Sequence, residues 1–235
     1  MKIQLTKPLF AWDCLEDSPS LTTVRQFLEA IPDGRLLEGL RSQRGRGRND
    51  YPVHVLWGVV LLTHLLRHTS TDSCLAELCR NKGLRRLIGI ESEDKVPKKW
   101  NVSRFLDALG QEPNLTRMRE IFDWIVQKLG QAVPDLGRDT AGDSTWLHGR
   151  RKSKEAAVKA EQAQGLPKAS GGRKEYKDDD GKVTKTVEWF GYKLHLLVDV
   201  KHEVSLSYQI TSTKAGDGET LPSLLDQAQG NLPAG

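Results

Sequence analysis

The sequence has few cysteines and no long apolar run. Cys14, Cys74 and Cys79 are its only cysteines, and none are spaced CxxC, which excludes a disulfide framework and a cysteine-ligated zinc site. The N-terminal segment lacks the continuous apolar stretch of a secretory leader. The longest apolar run, from Val53 to Leu66, falls short of the ~20 residues that span a bilayer. A cytoplasmic protein without membrane association is therefore expected.

Nucleotide-binding loops are absent as well, because neither a P-loop nor a GxGxxG motif occurs. His64 and His68 have i, i+4 spacing, but no HExxH motif and no group of carboxylates accompanies them. They are therefore interpreted as core or surface histidines rather than zinc ligands. The composition is that of a folded protein, with 37% hydrophobic residues and a mildly basic net charge of +4.

Apolar residues in the first 130 positions recur at helical spacing, which predicts an all-helical domain over residues 1–130. The predicted helices, with their start and stop signals, are Leu21–Ala30, Leu36–Leu40, Val53–Arg67, a segment capped by Thr71 or Ser73, a short segment between Gly83 and Gly89, Val102–Leu109 after an Asn101 cap, and a long helix from Pro113 and Asn114 to Gly130.

The pattern changes after residue 130. Strands are predicted at Leu136–Leu147, Trp189–Val200 and Val204–Thr213, with a turn at Lys201–Glu203 and a helix at Glu219–Gln229. Between the first two strands, the segment from Arg150 to Lys185 is rich in lysine and arginine and has almost no large apolar residue. Such a stretch cannot bury enough surface to fold alone, so a disordered basic insert is expected over residues 148–186 of a domain spanning 131–235.

One acidic residue stands out. Asp143, in the segment GRDTAGDSTWL, lies inside a predicted strand, where aspartate is depleted. A carboxylate within a sheet is costly unless it is paired or binds a cation. Its position alone leaves two interpretations open: an aspartate at a strand end or turn, hydrogen-bonded through Ser144 and Thr145, or a metal ligand held on a rigid strand.

The wider pattern resembles a known family. Over roughly positions 20 to 230, the chain resembles bacterial insertion-sequence transposases with an Asp-Asp-Glu catalytic domain. The segments that carry the resemblance are YPVHVLWGVVLLTHLLRHTSTDSCLAELCRNKGLRRLIGI and VPKKWNVSRFLDALG in the helical part, then GRDTAGDSTWLHGR, WFGYKLHLLVD and TKAGDGETLPSLLD.

The resemblance implies an α+β chain, in which the helical domain precedes an incomplete RNase H-like domain with a mixed sheet. Three carboxylates form the active site of such enzymes, and Asp143 matches the first. They hold two Mg²⁺ or Mn²⁺ ions, typically ~3.5–4 Å apart, which activate a water or a DNA 3′-hydroxyl and stabilise the leaving oxygen. Oxygen ligands suit these hard cations.

The family places its second aspartate on a fourth strand, after the Glu219–Gln229 helix, and its glutamate on a later helix. Neither occurs before Gly235. Asp199 and Asp217 are interpreted as structural residues, at a hairpin and at a helix start. The expected function is DNA transposition by metal-dependent cleavage and strand transfer, although these residues alone are not expected to cut DNA. The alternatives are a non-catalytic DNA-binding remnant that occupies element ends, and a nuclease of the same fold.

Basic side chains indicate where double-stranded DNA, as element ends and target, is expected to bind. Each residue could equally be a solvated surface position. The candidates are Arg41, Arg44, Arg46 and Arg48 in a glycine-containing loop, Lys98, Lys99 and Arg104 around a helix start, and Lys193 and His195 on one face of a strand. A homo-oligomer on DNA is expected, and the open edge of an incomplete sheet predicts self-association.

Overall fold

The chain forms two compact units. The computed structural model describes residues 19–44, 50–149 and 167–232. The first unit is Met1–Ile121 and the second is Phe122–Gly235. No helix within the described residues is long and apolar enough to cross a membrane.

The first unit is helical, as predicted. Its elements, in chain order, are α1 (Pro19–Ala30), α2 (Gly34–Gln43), α3 (Val53–Leu65), α4 (Thr71–Arg80), α5 (Lys82–Leu87), a 3₁₀ turn (Glu93–Lys95), α6 (Lys99–Leu109) and α7 (Asn114–Ala132), the last of which continues into the second unit.

The start of α4 differs from the prediction that Thr71 or Ser73 caps it. Ser70 is the cap, because its hydroxyl accepts a hydrogen bond from the Ser73 N–H at 3.2 Å. The Ser73 side chain in turn accepts from the Ser70 N–H, so this pair forms a reciprocal capping box that satisfies both backbone donors.

The bounds of α6 and α7 also differ from the prediction. Asn101 does not precede α6 but lies in its first turn, where its side-chain oxygen accepts the Lys98 N–H at 3.0 Å. Helix α7 continues past the predicted stop at Gly130 to Ala132. Glycine lowers helix stability without forbidding a helix, and Val126 and Leu129 of this final stretch pack into the second core.

Helix α3 forms the centre of the first unit because it is apolar on every face. Val59 and Leu62 have no exposed surface, and the Trp57 indole N–H is satisfied by the Asp33 carboxylate at 2.7 Å. The core around it buries Val24, Leu36, Leu40, Val53, Val55, Leu56, Trp57, Val59, Leu62, Cys74, Leu75, Leu78, Leu84, Ile88, Ile90, Val96, Val102, Phe105 and Leu109.

The second unit contains a sheet and a helix, which confirms the predicted α+β class. Its elements are β1 (Thr140–His148), β2 (Ser170–Lys177), β3 (Val183–Asp199), β4 (Val204–Ser212) and α8 (Asp217–Asn231). Strand β3 is central and pairs with all three others. Each described pairing is antiparallel, whereas the resemblance implied a mixed sheet.

The predicted disordered insert is wrong for its second half. Residues 170–177 form β2 and pair with the first half of β3, while residues 150–166 lie outside the described part of the chain. The side chains of β2 are mostly exposed, and the strand is held by backbone pairing with β3 and by packing of the Trp189 side chain over Gly172. Strand β3 pairs with β2 before Gly191 and with β1 after it. Only glycine fits at this position, because a Cβ there would overlap the Leu147 carbonyl oxygen.

A second core lies where α8 packs on β3 and β4. It buries Val126, Leu136, Leu197, Leu206, Leu224 and Ala228. The end of α7 therefore belongs to this unit, and the division of the chain at Ile121 and Phe122 precedes the predicted domain boundary at residue 130.

Candidate functional site

Asp143 lies near the middle of β1, opposite Leu196 of β3. Its side chain is exposed, and Oδ1 accepts a hydrogen bond from the Ser144 N–H at 2.7 Å. The free-energy cost of burying a carboxylate within a sheet, which the sequence suggested, therefore does not arise, because water reaches the Asp143 side chain. The strand fixes the backbone while an oxygen atom remains available to a cation.

Ser144, the next residue, belongs to a polar cluster at the start of α8. Successive side chains of a strand point to opposite faces, so Asp143 and Ser144 lie on different sides of the sheet. On the Ser144 side, the Lys193 ammonium lies 2.8 Å from Asp217 Oδ1. A hydrogen bond from Lys193 and a weaker effect of one from Ser144 lower the pKa of Asp217, so this carboxylate is ionised at neutral pH. These bonds join α8 to β3 and β1.

His195 is buried within the same cluster, with 1% of its surface exposed. Its Nδ1 lies 3.0 Å from the Thr220 hydroxyl, and its Nε2 lies 2.9 Å from the Thr211 hydroxyl. Burial, followed by the nearby charge of Lys193, lowers the pKa of His195 and favours the neutral ring. The prediction that His195 touches DNA is wrong, because α8 covers this face of the strand.

Lys193, the other residue of this strand predicted to contact DNA, forms bonds within the protein. Its ammonium binds the Asp217 carboxylate and donates to the Ala215 carbonyl at 3.0 Å. The charge is therefore already compensated within the protein, and we assign Lys193 to the attachment of α8.

Asp199 is structural, as the sequence predicted, but it is buried rather than facing water. Its two oxygens accept backbone N–H groups of Gly137 and His202, each at 2.7 Å. Burial raises its pKa, but the N–H groups of His202, Gly137 and Lys201, with the nearby His202 side chain, outweigh that effect and leave the pKa of Asp199 below its ordinary value. This carboxylate closes the hairpin between β3 and β4 and has no oxygen directed at a ligand.

A complete metal site is not present among the residues that the structure describes, where no three potential ligand side chains cluster. The exposed carboxylate of Asp143 has the oxygen donor that a hard cation prefers, but it supplies one ligand only. The donor type therefore fits Mg²⁺ or Mn²⁺, and the number of donors does not.

The basic loop of the first unit is described in part. Arg41 is exposed at the end of α2, and Arg44 follows it, half-buried, with a guanidinium N–H donated to the Tyr51 carbonyl. Arg46 and Arg48, also predicted to bind DNA, lie outside the described residues.

The second predicted basic patch lies at α6. Lys98 and Lys99 are exposed at its start, where Lys99 forms an ion pair with Asp72. The Arg104 guanidinium stacks 5.0 Å from the ring centroid of Trp100, a residue that the sequence analysis did not single out. The i, i+4 spacing of Trp100 and Arg104 was the available signal, because residues four apart meet on a helix surface.

Residues of both basic segments line one cleft of about 480 Å³. Arg44 and Asp50 line it from the first segment, and Trp100 and Arg104 line it from α6. Its remaining lining residues are Leu40, Gln43, Tyr51, Val53, Leu56, Asn101, Phe105 and Ala108.

Comparison with known protein families assigns both halves of the chain. A family described as a transposase domain (DUF772) matches residues 13–108. A family described as a transposase DDE domain matches residues 140–233, which include Asp143 and the whole of β1. No curated protein and no solved structure matches the chain.

Proposed function

Because this chain belongs to the insertion-sequence transposases, we propose that it binds double-stranded DNA through its helical unit and that Asp143 is the first carboxylate of its Asp-Asp-Glu site. The full reaction proposed for such a protein is cleavage at the element ends followed by strand transfer to target DNA. A cytoplasmic location and assembly as a homo-oligomer on DNA form part of the proposal.

The position of Asp143 carries this proposal. It is an exposed carboxylate in the interior of a strand, and it lies within the residues matched by the transposase DDE domain. A strand interior holds a side chain more rigidly than a loop does, which suits a group that must place a cation against phosphate. Asp199 and Asp217, by contrast, are both engaged by protein groups.

Divalent metal ions are the proposed cofactors, with Mg²⁺ or Mn²⁺ as the cations suited to carboxylate oxygens. When bound in a complete site, two such ions activate the attacking oxygen and stabilise the leaving one. Among the described residues, Asp143 offers a single ligand of such a site. Its contribution is to hold one carboxylate at a fixed point on the sheet.

The basic residues of the first unit are the proposed DNA contacts, because exposed guanidinium and ammonium groups bind the phosphate backbone. They are Arg41, Arg44, Arg46, Arg48, Lys98, Lys99 and Arg104.

A second function, DNA binding without cleavage, is favoured by one observation. The part of the chain that the structure describes contains no cluster of three metal-binding side chains, whereas a complete site would hold two ions. A chain that occupies element ends without cutting them would compete with an active transposase for the same DNA.

Binding and nicking of a labelled duplex test the proposal together. The 235-residue chain is expected to bind the duplex with an affinity that falls as salt rises, because phosphate contacts release counterions. Replacing Arg104 with Gln should reduce the steepness of that dependence by about one ion. With Mg²⁺ present, the duplex should remain uncut. Absence of duplex binding would contradict the proposed function, and cleavage would contradict the one-ligand assignment.

A further inference from the structure

Two basic segments that are distant in sequence meet at the cleft of the first unit. Arg44 follows α2, whereas Trp100 and Arg104 belong to α6, and all three line the same space of about 480 Å³. That volume lies in the range of ligand pockets, ~300–1,000 Å³. A volume of this size matches a ligand as small as a single nucleotide.

Trp100 supplies a surface on which a nucleobase can stack. It is 53% exposed even though Arg104 lies over its ring. An indole left in water contributes little to the core, but it binds unpaired bases of any sequence, because every base has a π face. The cation–π contact with Arg104 holds the ring in position before a ligand arrives.

The charge of the cleft suits a phosphate beside that base. Arg44 and Arg104 carry guanidinium groups, which bind phosphate oxygens through paired hydrogen bonds. One N–H of Arg44 is used by the Tyr51 carbonyl, and a guanidinium has five donors in all. Asp50 is the one carboxylate among the cleft's described lining residues, so positive charge exceeds negative charge there.

From this juxtaposition we infer that the cleft binds an unpaired nucleotide of DNA, with its base stacked on Trp100 and its phosphate held by Arg44 and Arg104. The inference rests on the proposed function, because it takes DNA as the ligand. The inference adds that the bound DNA presents one base outside its double helix. The protein should therefore prefer DNA with a displaced base to fully paired DNA of the same sequence.

Three labelled duplexes test this preference by fluorescence anisotropy with the full chain. One is fully paired, one carries a single bulged nucleotide, and one carries the same bulge with an abasic spacer. The wild type is expected to bind the bulged duplex on the order of tenfold more tightly than the abasic one, as stacking of one base on an aromatic side chain predicts. Trp100→Ala should remove that difference between the bulged and the abasic duplex, whereas Trp100→Phe should retain most of it.

Trp124→Ala is the matched control. Trp124 is 38% exposed and has the Lys128 ammonium 5.7 Å from its ring centroid, but it does not line this cleft. Equal binding of the bulged and abasic duplexes by the wild type would overturn the inference, as would equal losses in the two alanine variants. If the paired duplex still binds in either case, the proposed function stands. If no duplex binds, both fail.

Discussion

The two units present their charged groups in opposite ways. In the helical unit, Arg44 at the end of α2 and Arg104 within α6 line one cleft beside the exposed side chain of Trp100. In the sheet unit, most polar groups near β1 bind one another, as Lys193 and Asp217 do, and Asp143 is left exposed on a regular strand. Paired charges attach a helix to a sheet, whereas unpaired ones remain available to a ligand. This difference separates structural residues from candidate functional ones.

The largest effects are expected from truncating each core separately. Leu62 of α3 and Leu206 of β4 both have no exposed surface and belong to different cores. Leu62→Ala or Leu206→Ala should each cost about 2–5 kcal/mol of stability. Amide hydrogen exchange should accelerate in the helices for the first variant and in the sheet for the second. Faster amide exchange in both units of either variant would show that the two units unfold together.

A second comparison concerns the contributions of Asp199 and Asp143 to the stability of the sheet unit. Asp199→Asn should lower the urea midpoint of unfolding, because the buried carboxylate accepts the Gly137 and His202 N–H groups in its charged form. Asp143→Asn should leave the midpoint unchanged, since that side chain is exposed and accepts only a local bond. A larger loss for Asp143→Asn would reassign it as a structural residue.

The sheet unit should also lose stability in mild acid. Burial lowers the pKa of His195 in the folded protein, so the unfolded chain takes up a proton first as pH falls. Stability from the neutral ring is present above about pH 6.5, the ordinary histidine value, and declines below it. Asp199 and Asp217 have lowered pKa values, so their contributions persist until the pH falls below about 4.

The measurement is the urea midpoint of the sheet unit at about pH 7.5 and about pH 5.5, for the wild type and His195→Gln. Glutamine keeps a polar side chain between Thr211 and Thr220 but does not titrate. The fall in the urea midpoint between the higher and the lower pH should be smaller in His195→Gln than in the wild type. An identical decline in both proteins would assign the pH dependence to other groups.

Apolar spacing together with start and stop signals predicted the described α-helices of the first unit, and the regular repeat is clearest in α7. It missed the β2 ribbon because pairing there depends on backbone hydrogen bonds between exposed strands, which leave no apolar pattern. It singled out Asp143 because the neighbouring residues form a strand, but it could not tell that His195 is covered by α8. Nor could it bring Arg44 and Trp100 together, since their contact with one cleft is set by tertiary packing.

Binding of Mn²⁺ tests the central claim, that Asp143 is a metal ligand, most directly. The paramagnetic ion broadens NMR signals of nearby amides, and in the wild type broadening should be centred on Asp143 within β1. Asp143→Asn should abolish it there, whereas Asp139→Asn, which removes an exposed carboxylate just before the same strand, should not. Unchanged broadening of β1 in Asp143→Asn would contradict the assignment.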